Sequence, residues 1–131
     1  MRESRLLDLK NELLQFVKGF GAYDMRVADA SKGFENAVSG CRPREVMEDC
    51  NSVVVFAIYV GLDYYRSVKI ENKTAGDDRI MSILSDWIQY KVAEYLQEKG
   101  YRAIVPIGYS NREKFIPRFS FKLAAYEAGL G

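Results

Sequence analysis

The sequence predicts an α/β fold in which helices pack on a small mixed sheet. Three observations support this. Apolar patterns follow the order helix, strand, short helix, strand, long helix, strand, helix, which is typical of α/β sandwiches. The 131 residues suit one domain, so we expect a single domain over residues 1–131. Apolar residues make up 48% of the chain and charged residues 28%, a balance typical of a soluble protein with a real core.

The first helix is predicted over residues 4–18. Its apolar residues recur at spacings of three and four, which is the period of an amphipathic helix, and Gly19 and Gly21 are expected to end it. Residues 22–29 then alternate apolar and charged side chains, which predicts a half-buried strand. The apolar positions of this strand are Tyr23, Met25 and Val27.

The middle of the chain predicts two short helical segments and a buried strand. Ser31 is a candidate N-cap for a short helix in the polar stretch that follows it. Pro43 suits the first position of a helical turn. Residues 51–60, NSVVVFAIYV, are almost wholly apolar and rich in β-branched side chains. Such a run predicts a strand that is covered on both faces.

The longest helix is predicted at about residues 77–99. Its apolar side chains form one stripe, which contains Ile80, Ile83, Leu84, Trp87, Ile88, Val92, Tyr95 and Leu96. Residues 101–107, YRAIVPI, predict a second buried strand. After an aromatic and basic loop, the segment SFKLAAYEAGLG predicts a closing helix that Gly129 caps in the left-handed conformation.

Composition excludes several common chemistries. The sequence has no histidine, which removes Ser-His and Cys-His nucleophile pairs and histidine-ligated metals. The only two cysteines, Cys41 and Cys50, match no common zinc or iron–sulfur spacing. We therefore expect them to be free thiols in a reducing compartment.

Charge and hydropathy limit the partners. The formal charge of +1 gives no general electrostatic case for nucleic acid or an anionic membrane. No apolar run is long enough to span a bilayer, and the first residues do not form a signal peptide. A cytoplasmic location without a membrane partner is the resulting expectation.

Two loops are the candidate places for chemistry, because loops carry function more often than cores. If the second and third strands run parallel, both loops leave the sheet at its carboxyl edge, where open α/β sheets bind ligands. Phenol hydroxyls are hydrogen-bond donors, and arginines hold carboxylate, amide or phosphate groups. The alternative is structural, since adjacent tyrosines often pack over a sheet end and loop arginines are usually solvated. The first loop contains Tyr59, Asp63, Tyr64, Tyr65 and Arg66, and the second Tyr109, Ser110, Asn111, Arg112, Lys114 and Arg118.

Two segments resemble a known family. The strand SVVVFAIYV, preceded by a proline-containing turn, resembles a strand of the epoxyqueuosine reductases and their iron–sulfur relatives. The segment AAYEAGLG is similar to the alanine-rich helix of that family, which runs into Ala-Gly-Leu-Gly. The stretch YLQEKGYRAIVPI occupies the expected place between them. The resemblance covers most of the chain, and AAYEAGLG is its specific part.

The resemblance implies a corrinoid-binding domain with a fold similar to nitroreductase-like and reductive-dehalogenase cofactor domains. In the relatives, the chain continues into a ferredoxin-type region whose cysteines hold iron–sulfur clusters. We therefore expect this chain to be the N-terminal portion of a longer oxidoreductase, cut before that region and inactive alone. The expected cofactor is cobalamin, and the clusters are expected only downstream. The predicted cofactor contacts are Tyr59, Gly108, Tyr109, Arg112 and Ser120.

The sequence departs from the family just before the closing helix. Epoxyqueuosine reductases resemble D-x-x-P-x-x-E there, whereas this chain has FIPRFSFK, with Phe115 near the place of the aspartate and Pro117 as an echo of the proline. No catalytic residue is therefore predicted, and tRNA is only weakly supported as a partner. The segment looks closer to the uncharacterised iron–sulfur branch, where a serine precedes the helix, here Ser120. The alternatives are a non-catalytic module that binds a flavin, a nucleotide or a protein, and a homodimer formed through exposed apolar surface.

Overall fold

The structure, a computed structural model, describes residues 2–63, 66, 79–106 and 119–130. Within these residues it is a mixed α/β structure with four helices and a two-stranded antiparallel sheet, which confirms the α/β class. The elements are α1 (Arg2–Gly19), β1 (Ala22–Asp29), α2 (Pro43–Val46), β2 (Ser52–Ile58), α3 (Arg79–Glu98) and α4 (Phe121–Ala128). No helix in these ranges is long and apolar enough to cross a membrane.

The two strands pair in opposite directions. The Ala30 N–H donates to the Asn51 carbonyl at 3.1 Å, so the end of β1 lies beside the start of β2. β1 is not half-buried on one face as the alternation predicted. Ala22, Met25 and Ala28 are buried, whereas Tyr23 is exposed. Successive side chains point to opposite faces of a strand, so β1 is covered on both faces at different points along its length.

β2 agrees better with its prediction. Its side chains from 53 to 58 are all partly covered, without an exposed face, although none is fully buried.

Residues 101–106 form no strand, so the prediction of a second buried strand there was wrong. The Tyr101 N–H donates to the Leu96 carbonyl at 3.0 Å, and the Gln97 side-chain amide donates to the Ala103 carbonyl at 2.8 Å. The start of the segment is thus bonded to the end of α3. Strand formation requires a neighbouring strand as well as β-branched side chains, and this segment has none among the described residues.

The chain divides into two compact units. The helical unit contains Met1–Asp24 and Ile58–Ala103. In it, α1 buries Leu13 and Val17, and α3 buries Ile88 and Val92.

Ring and polar contacts join these two helices at their ends. The rings of Phe16 and Tyr95 have centroids 4.5 Å apart. The Tyr95 hydroxyl donates to Glu12 Oε2 at 3.1 Å, and Lys99 Nζ lies 3.5 Å from the same oxygen. The α1 prediction and the buried part of the α3 stripe are therefore confirmed.

The α3 stripe is not buried across its whole predicted width. Ile83 and Trp87 belong to the predicted stripe but are exposed, whereas Ile88 is completely buried. Each residue turns a helix by about 100°, so Ile83 and Ile88 lie about 140° apart around the axis. Spacings of three and four group both positions into one stripe, but the structure covers only one side of it.

The sheet unit contains Met25–Ala57 and Ile104–Gly131. The rings of Phe34 and Phe119 are stacked with centroids 6.4 Å apart, between β1 and α4 side chains. The core residues are Ala28, Phe34, Phe119 and Ala124, with Val53, Val55, Leu123 and Ala128 packed against them.

Hydrogen bonds fix the irregular segment between the strands. Pro43 occupies the first turn of α2, as predicted. The Glu45 carboxylate accepts from the Gly40 N–H at 2.8 Å and from Arg42, whose guanidinium also donates to the Glu35 carbonyl at 3.2 Å. The short helix expected after Ser31 is absent from residues 31–41.

Ser31 is part of a turn and is not an N-cap. Its N–H and its hydroxyl both donate to Asp29 Oδ1, at 2.8 and 2.6 Å. A short polar side chain that bonds the backbone two residues away favours a turn over a helix. This local bond is the physical reason that the N-cap prediction was wrong.

The closing helix α4 is confirmed, with a cap at each end. Ser120 Oγ accepts from the Leu123 N–H at 3.2 Å. Gly129 has φ +85°, and its N–H donates to the Tyr126 carbonyl. The Leu130 N–H donates to the Ala125 carbonyl at 2.9 Å. These two bonds form a Schellman motif, which requires the left-handed residue that glycine supplies.

Candidate functional site

The candidate site in the helical unit is an exposed pair of aromatic rings, Tyr23 and Tyr59, which we call the tyrosine pair. Tyr59, a predicted cofactor contact, directly follows β2 and is 70% exposed. Tyr23 lies at the start of β1 and is 69% exposed. Their ring centroids are 6.2 Å apart and their planes meet at 38°. Two large rings are thus held together in solvent, where neither is part of the core.

The antiparallel sheet brings these two residues together. Since the end of β1 lies beside the start of β2, the start of β1 lies beside the end of β2. Tyr23 is the second residue of β1, and Tyr59 comes directly after the last residue of β2. Both rings therefore lie at the same end of the strand pair, where they come into contact.

Tyr23 is the site residue that the sequence did not predict. Its alternation with charged neighbours indicated an inward position. The signal that would have found it is the direction of strand pairing, because an antiparallel pair brings the start of β1 near the end of β2.

The tyrosine pair offers two kinds of interaction. Its ring faces can stack on a planar ligand, and aromatic contacts of this type contribute about 0.5–1.5 kcal/mol beyond the area that they bury. Each phenol hydroxyl is both a donor and an acceptor, and neither makes a hydrogen bond with another described residue. The pair therefore suits a ligand that has an extended π-system and polar groups at its rim.

Ser120, the second predicted contact within the described residues, lies in the sheet unit. Its Oγ accepts the Leu123 N–H, which makes it the N-cap of α4. A hydroxyl has one proton to donate in addition to its two lone pairs, and Ser120 is exposed. The side chain can thus cap the helix and donate to a ligand at the same time.

The other three predicted contacts, Gly108, Tyr109 and Arg112, lie outside the described residues, as do Tyr64 and Tyr65 of the first loop. The remaining second-loop residues, Ser110, Asn111, Lys114 and Arg118, lie there too. The assignment of all these residues to a site stays a prediction. Tyr59 belongs to the helical unit and Ser120 to the sheet unit.

The two cysteines are buried free thiols, as predicted. Cys50 Sγ donates to the Ser52 carbonyl at 3.3 Å, and the Arg44 Nε donates to the Cys50 carbonyl at 3.2 Å. Burial is the main cause that raises the pKa of the Cys50 thiol. A thiol with a raised pKa stays protonated near neutral pH and is a poor nucleophile or metal ligand.

Among the described residues, the Asp29 carboxylate has a structural role. The Ser31 hydroxyl and N–H lower the pKa of the Asp29 carboxyl, so it is ionised and serves the turn. No group of three or more cysteine, aspartate or glutamate side chains in the described ranges is arranged to hold a metal ion. The tyrosine pair is consequently the best-defined candidate for recognition.

Comparisons with known proteins add no relative: no known protein family, no curated protein and no solved structure matches this chain.

Proposed function

We propose that this chain is the cofactor-binding portion of an iron–sulfur-dependent oxidoreductase of unknown substrate, and that the tyrosine pair forms part of a corrinoid site. The observation that carries the proposal is the exposed tyrosine pair, with rings 6.2 Å apart at one end of the sheet. The resemblance of AAYEAGLG and SVVVFAIYV to the epoxyqueuosine reductase family supplies the class of cofactor and reaction.

The residues present fit a corrinoid on chemical grounds. Its macrocycle offers a broad planar face to aromatic rings, and the amide groups at its rim accept hydrogen bonds from hydroxyls. Tyr23 and Tyr59 would hold the planar face, and their hydroxyls would donate to rim amides. The sequence contains no histidine, so a bound corrinoid would have no imidazole ligand from this chain. When bound, the cofactor would supply reductive chemistry at cobalt, with electrons from iron–sulfur clusters.

The proposal extends to the fold. A nitroreductase-like or reductive-dehalogenase-like cofactor domain is supported by the mixed α/β architecture and by α4, in which residues 124–128 of the AAYEAGLG motif are helical and Gly129 caps them. The support from α4 is local, since it concerns the conformation of one motif.

The second candidate is a non-catalytic module that binds a flavin or a nucleotide. The same observation favours it, because an isoalloxazine or a purine is also planar and stacks on tyrosine. The two candidates differ in which ligand stabilises the protein and in whether bound ligand is reduced.

A ligand panel separates the candidates. The purified chain is unfolded by heat in the presence of cobalamin, FMN, FAD or NAD. By mass action, a ligand at about 100 times its Kd stabilises the folded state by about 2.7 kcal/mol. Cobalamin alone should stabilise under the first candidate, and a flavin or NAD under the second. If no ligand stabilises the protein, both candidates are wrong.

Variants of the tyrosine pair assign the binding to the site. Tyr59→Ala should abolish most of the stabilisation, and Tyr59→Phe should keep the part that comes from stacking. Tyr126 is 68% exposed, almost the same as Tyr59, and lies on α4. Tyr126→Ala is therefore the matched control and should leave the ligand effect unchanged. Equal losses for Tyr59→Ala and Tyr126→Ala would exclude the tyrosine pair as the site.

A further inference from the structure

The outer face of α3 carries an apolar stripe that is separate from the tyrosine pair. Ile83 is 66% exposed, Trp87 49% and Tyr90 54%. Their sequence intervals of four and three place them along one line of the helix. Glu94, four residues further, continues the same line. The opposite side of α3 buries Ile88 and Val92, so this helix has two apolar faces and only one lies in the core.

Contacts within α3 fix the positions of the side chains in this stripe. The rings of Trp87 and Tyr90 have centroids 6.1 Å apart. Lys91 Nζ lies 5.0 Å above the Trp87 ring and 3.2 Å from Glu94 Oε1. The Tyr90 hydroxyl bonds the Glu94 carboxylate, which lowers the pKa of that carboxyl and raises the pKa of the phenol. Two large rings are thus preorganised in solvent, which reduces the entropy lost when a partner covers them.

Ile83, Trp87, Tyr90 and Glu94 are spaced four, three and four residues apart. This is the spacing of the a and d positions in the heptad repeat of a coiled coil. With Ile83 and Tyr90 at d positions, Trp87 and Glu94 occupy a positions. Asp86 then falls at g and Lys91 at e, on opposite flanks of the seam. In a parallel pair, a g residue meets the e residue five positions later on the other helix.

The charges on the two flanks select the partner and its direction. A second copy aligned parallel to α3 brings Asp86 beside the partner's Lys91, and by symmetry Lys91 beside the partner's Asp86. Antiparallel helices instead pair g with g and e with e, which separates the acid from the base. We infer that the outer face of α3 binds a second copy of this chain in parallel orientation, through Ile83, Trp87 and Tyr90 and two symmetric Asp86–Lys91 ion pairs.

Glu94 limits the length of this contact. At an a position it faces the partner's Glu94, and like charges at a seam oppose association. Lys91 and the Tyr90 hydroxyl offset part of that repulsion within each copy. The apolar contact is therefore short, and the dimer is expected to be weak and dependent on concentration.

The test uses the only tryptophan of the chain as its reporter. Sedimentation velocity and Trp87 emission are measured from micromolar to about millimolar protein, a range that suits interfaces below roughly 1,200 Å². We expect the average mass to rise towards that of a dimer while the emission shifts to shorter wavelength. Ile83→Asp should keep the protein monomeric throughout. Leu7→Asp is the matched control, because it places the same charge at an exposed aliphatic residue on α1, and it should leave the association unchanged.

Cross-linking tests the orientation. Under mild oxidation, Ile83→Cys should form a disulfide-linked dimer, because a parallel two-fold pair places each residue 83 beside its counterpart. Leu7→Cys should not form one, and neither should the wild type, whose two thiols are buried. A chain that stays monomeric at all concentrations overturns the inference, and it does so even if a different protein binds this face of α3. A dimer that is insensitive to Ile83→Asp, or one without the Ile83→Cys cross-link, overturns it as well.

Discussion

The two units of the molecule use their aromatic residues in different ways. The sheet unit buries Phe34 and Phe119 in its core, where their rings stack. In the helical unit, the buried side chains among the described residues are aliphatic, whereas its described tyrosines and its tryptophan lie partly or largely in solvent. The buried side chains of the helical unit are Leu13, Val17, Ala22, Ile88 and Val92.

This difference separates aromatic residues that stabilise the fold from aromatic residues that are available to bind a ligand or partner. A buried phenylalanine contributes by removing apolar surface from water. An exposed tyrosine or tryptophan contributes little to stability, but it offers a large rigid surface with a polar group to a ligand or partner. The tyrosine pair and the apolar stripe on the outer face of α3 both lie in the helical unit, so we expect recognition there. Stability is expected to depend on the cores of both units.

The largest predicted effect is the removal of a core ring from the sheet unit. Phe34→Ala should lower the free energy of unfolding by about 3–5 kcal/mol, because it leaves a cavity beside Phe119. Urea denaturation followed by circular dichroism measures the loss. Tyr126→Ala, on the surface of the same unit, should change stability by no more than about 0.5 kcal/mol. Similar losses for the two variants would remove the distinction between core and surface rings.

The second prediction compares two isoleucines on one helix. Ile88 is fully buried and Ile83 is largely exposed. Ile88→Ala should cost about 2–5 kcal/mol of stability, and Ile83→Ala should cost no more than about 0.5 kcal/mol. Both are measured by urea denaturation at low micromolar protein, where self-association does not contribute. A large cost at Ile83 in this dilute sample would mean that the outer face of α3 is part of the core.

The third prediction uses two glycines with the same backbone conformation. Gly33 and Gly40 have φ +82° and +89°. A Cβ added at Gly33 would collide with the Glu127 carboxylate, whereas one at Gly40 would meet open space. Gly40→Ala and Gly33→Ala should each cost about 1 kcal/mol through backbone strain, because the Glu127 carboxylate is the far end of a flexible side chain and can turn away from the added methyl group.

A double variant isolates the steric part. Gly33→Ala combined with Glu127→Ala should lose only as much stability, relative to Glu127→Ala, as Gly40→Ala loses relative to the wild type. Thermal unfolding of the wild type, the three single variants and the double variant measures this. A clearly larger cost of Gly33→Ala in the presence of Glu127 than in its absence would mean that the carboxylate cannot move away.

The fourth prediction separates the two roles of Ser120. Ser120→Ala removes the N-cap of α4 and should cost about 1 kcal/mol. Ser120→Asp keeps a good cap, but an ionised carboxylate has no proton to donate. Ser120→Asp should therefore retain stability and weaken cobalamin binding. Unchanged binding in Ser120→Asp would limit Ser120 to its structural role.

The smallest predicted effect concerns Asp29. Because its pKa is lowered in the folded state, its contribution to stability is present above the unfolded pKa and is lost as the pH falls through the folded value. Asp29→Asn should remove a small part of the stability at neutral pH and flatten its decline in acid. Urea denaturation between neutral pH and about pH 3 covers the unfolded Asp pKa of about 3.9. An Asp8→Asn variant on α1 is the surface control, and an equal pH response in both variants would contradict the assignment.

Local signals predicted the helices well. Leu13 and Val17 recur at helical spacing, Pro43 begins a turn, and Gly129 marks the end of α4. Each of these signals acts through bonds or contacts within a few residues, so the sequence contains the whole cause. The prediction failed at Ser31 because another local bond, to Asp29, favours a turn in the same place.

Strand pairing and burial depend on residues far apart in the sequence. Residues 101–106 have strand-forming side chains but no strand partner among the described residues, and Tyr23 has an alternating pattern but an exposed ring. Neither outcome can be predicted without knowing which strands pair and in which direction. Tyr59 was predicted as a site residue, but its neighbour Tyr23 was not, because the pairing of β1 with β2 could not be predicted.

The most direct test of the account is a titration of cobalamin with the wild type, Tyr59→Ala and Tyr126→Ala, measured by equilibrium dialysis and by the visible spectrum of the corrinoid. We predict saturable retention and a spectral change with the wild type and Tyr126→Ala. Tyr59→Ala should lose at least about tenfold in affinity, equivalent to about 1.4 kcal/mol. Cobalamin binding that is equally tight in all three proteins, or absent from all three, would contradict the claim that the tyrosine pair holds the cofactor.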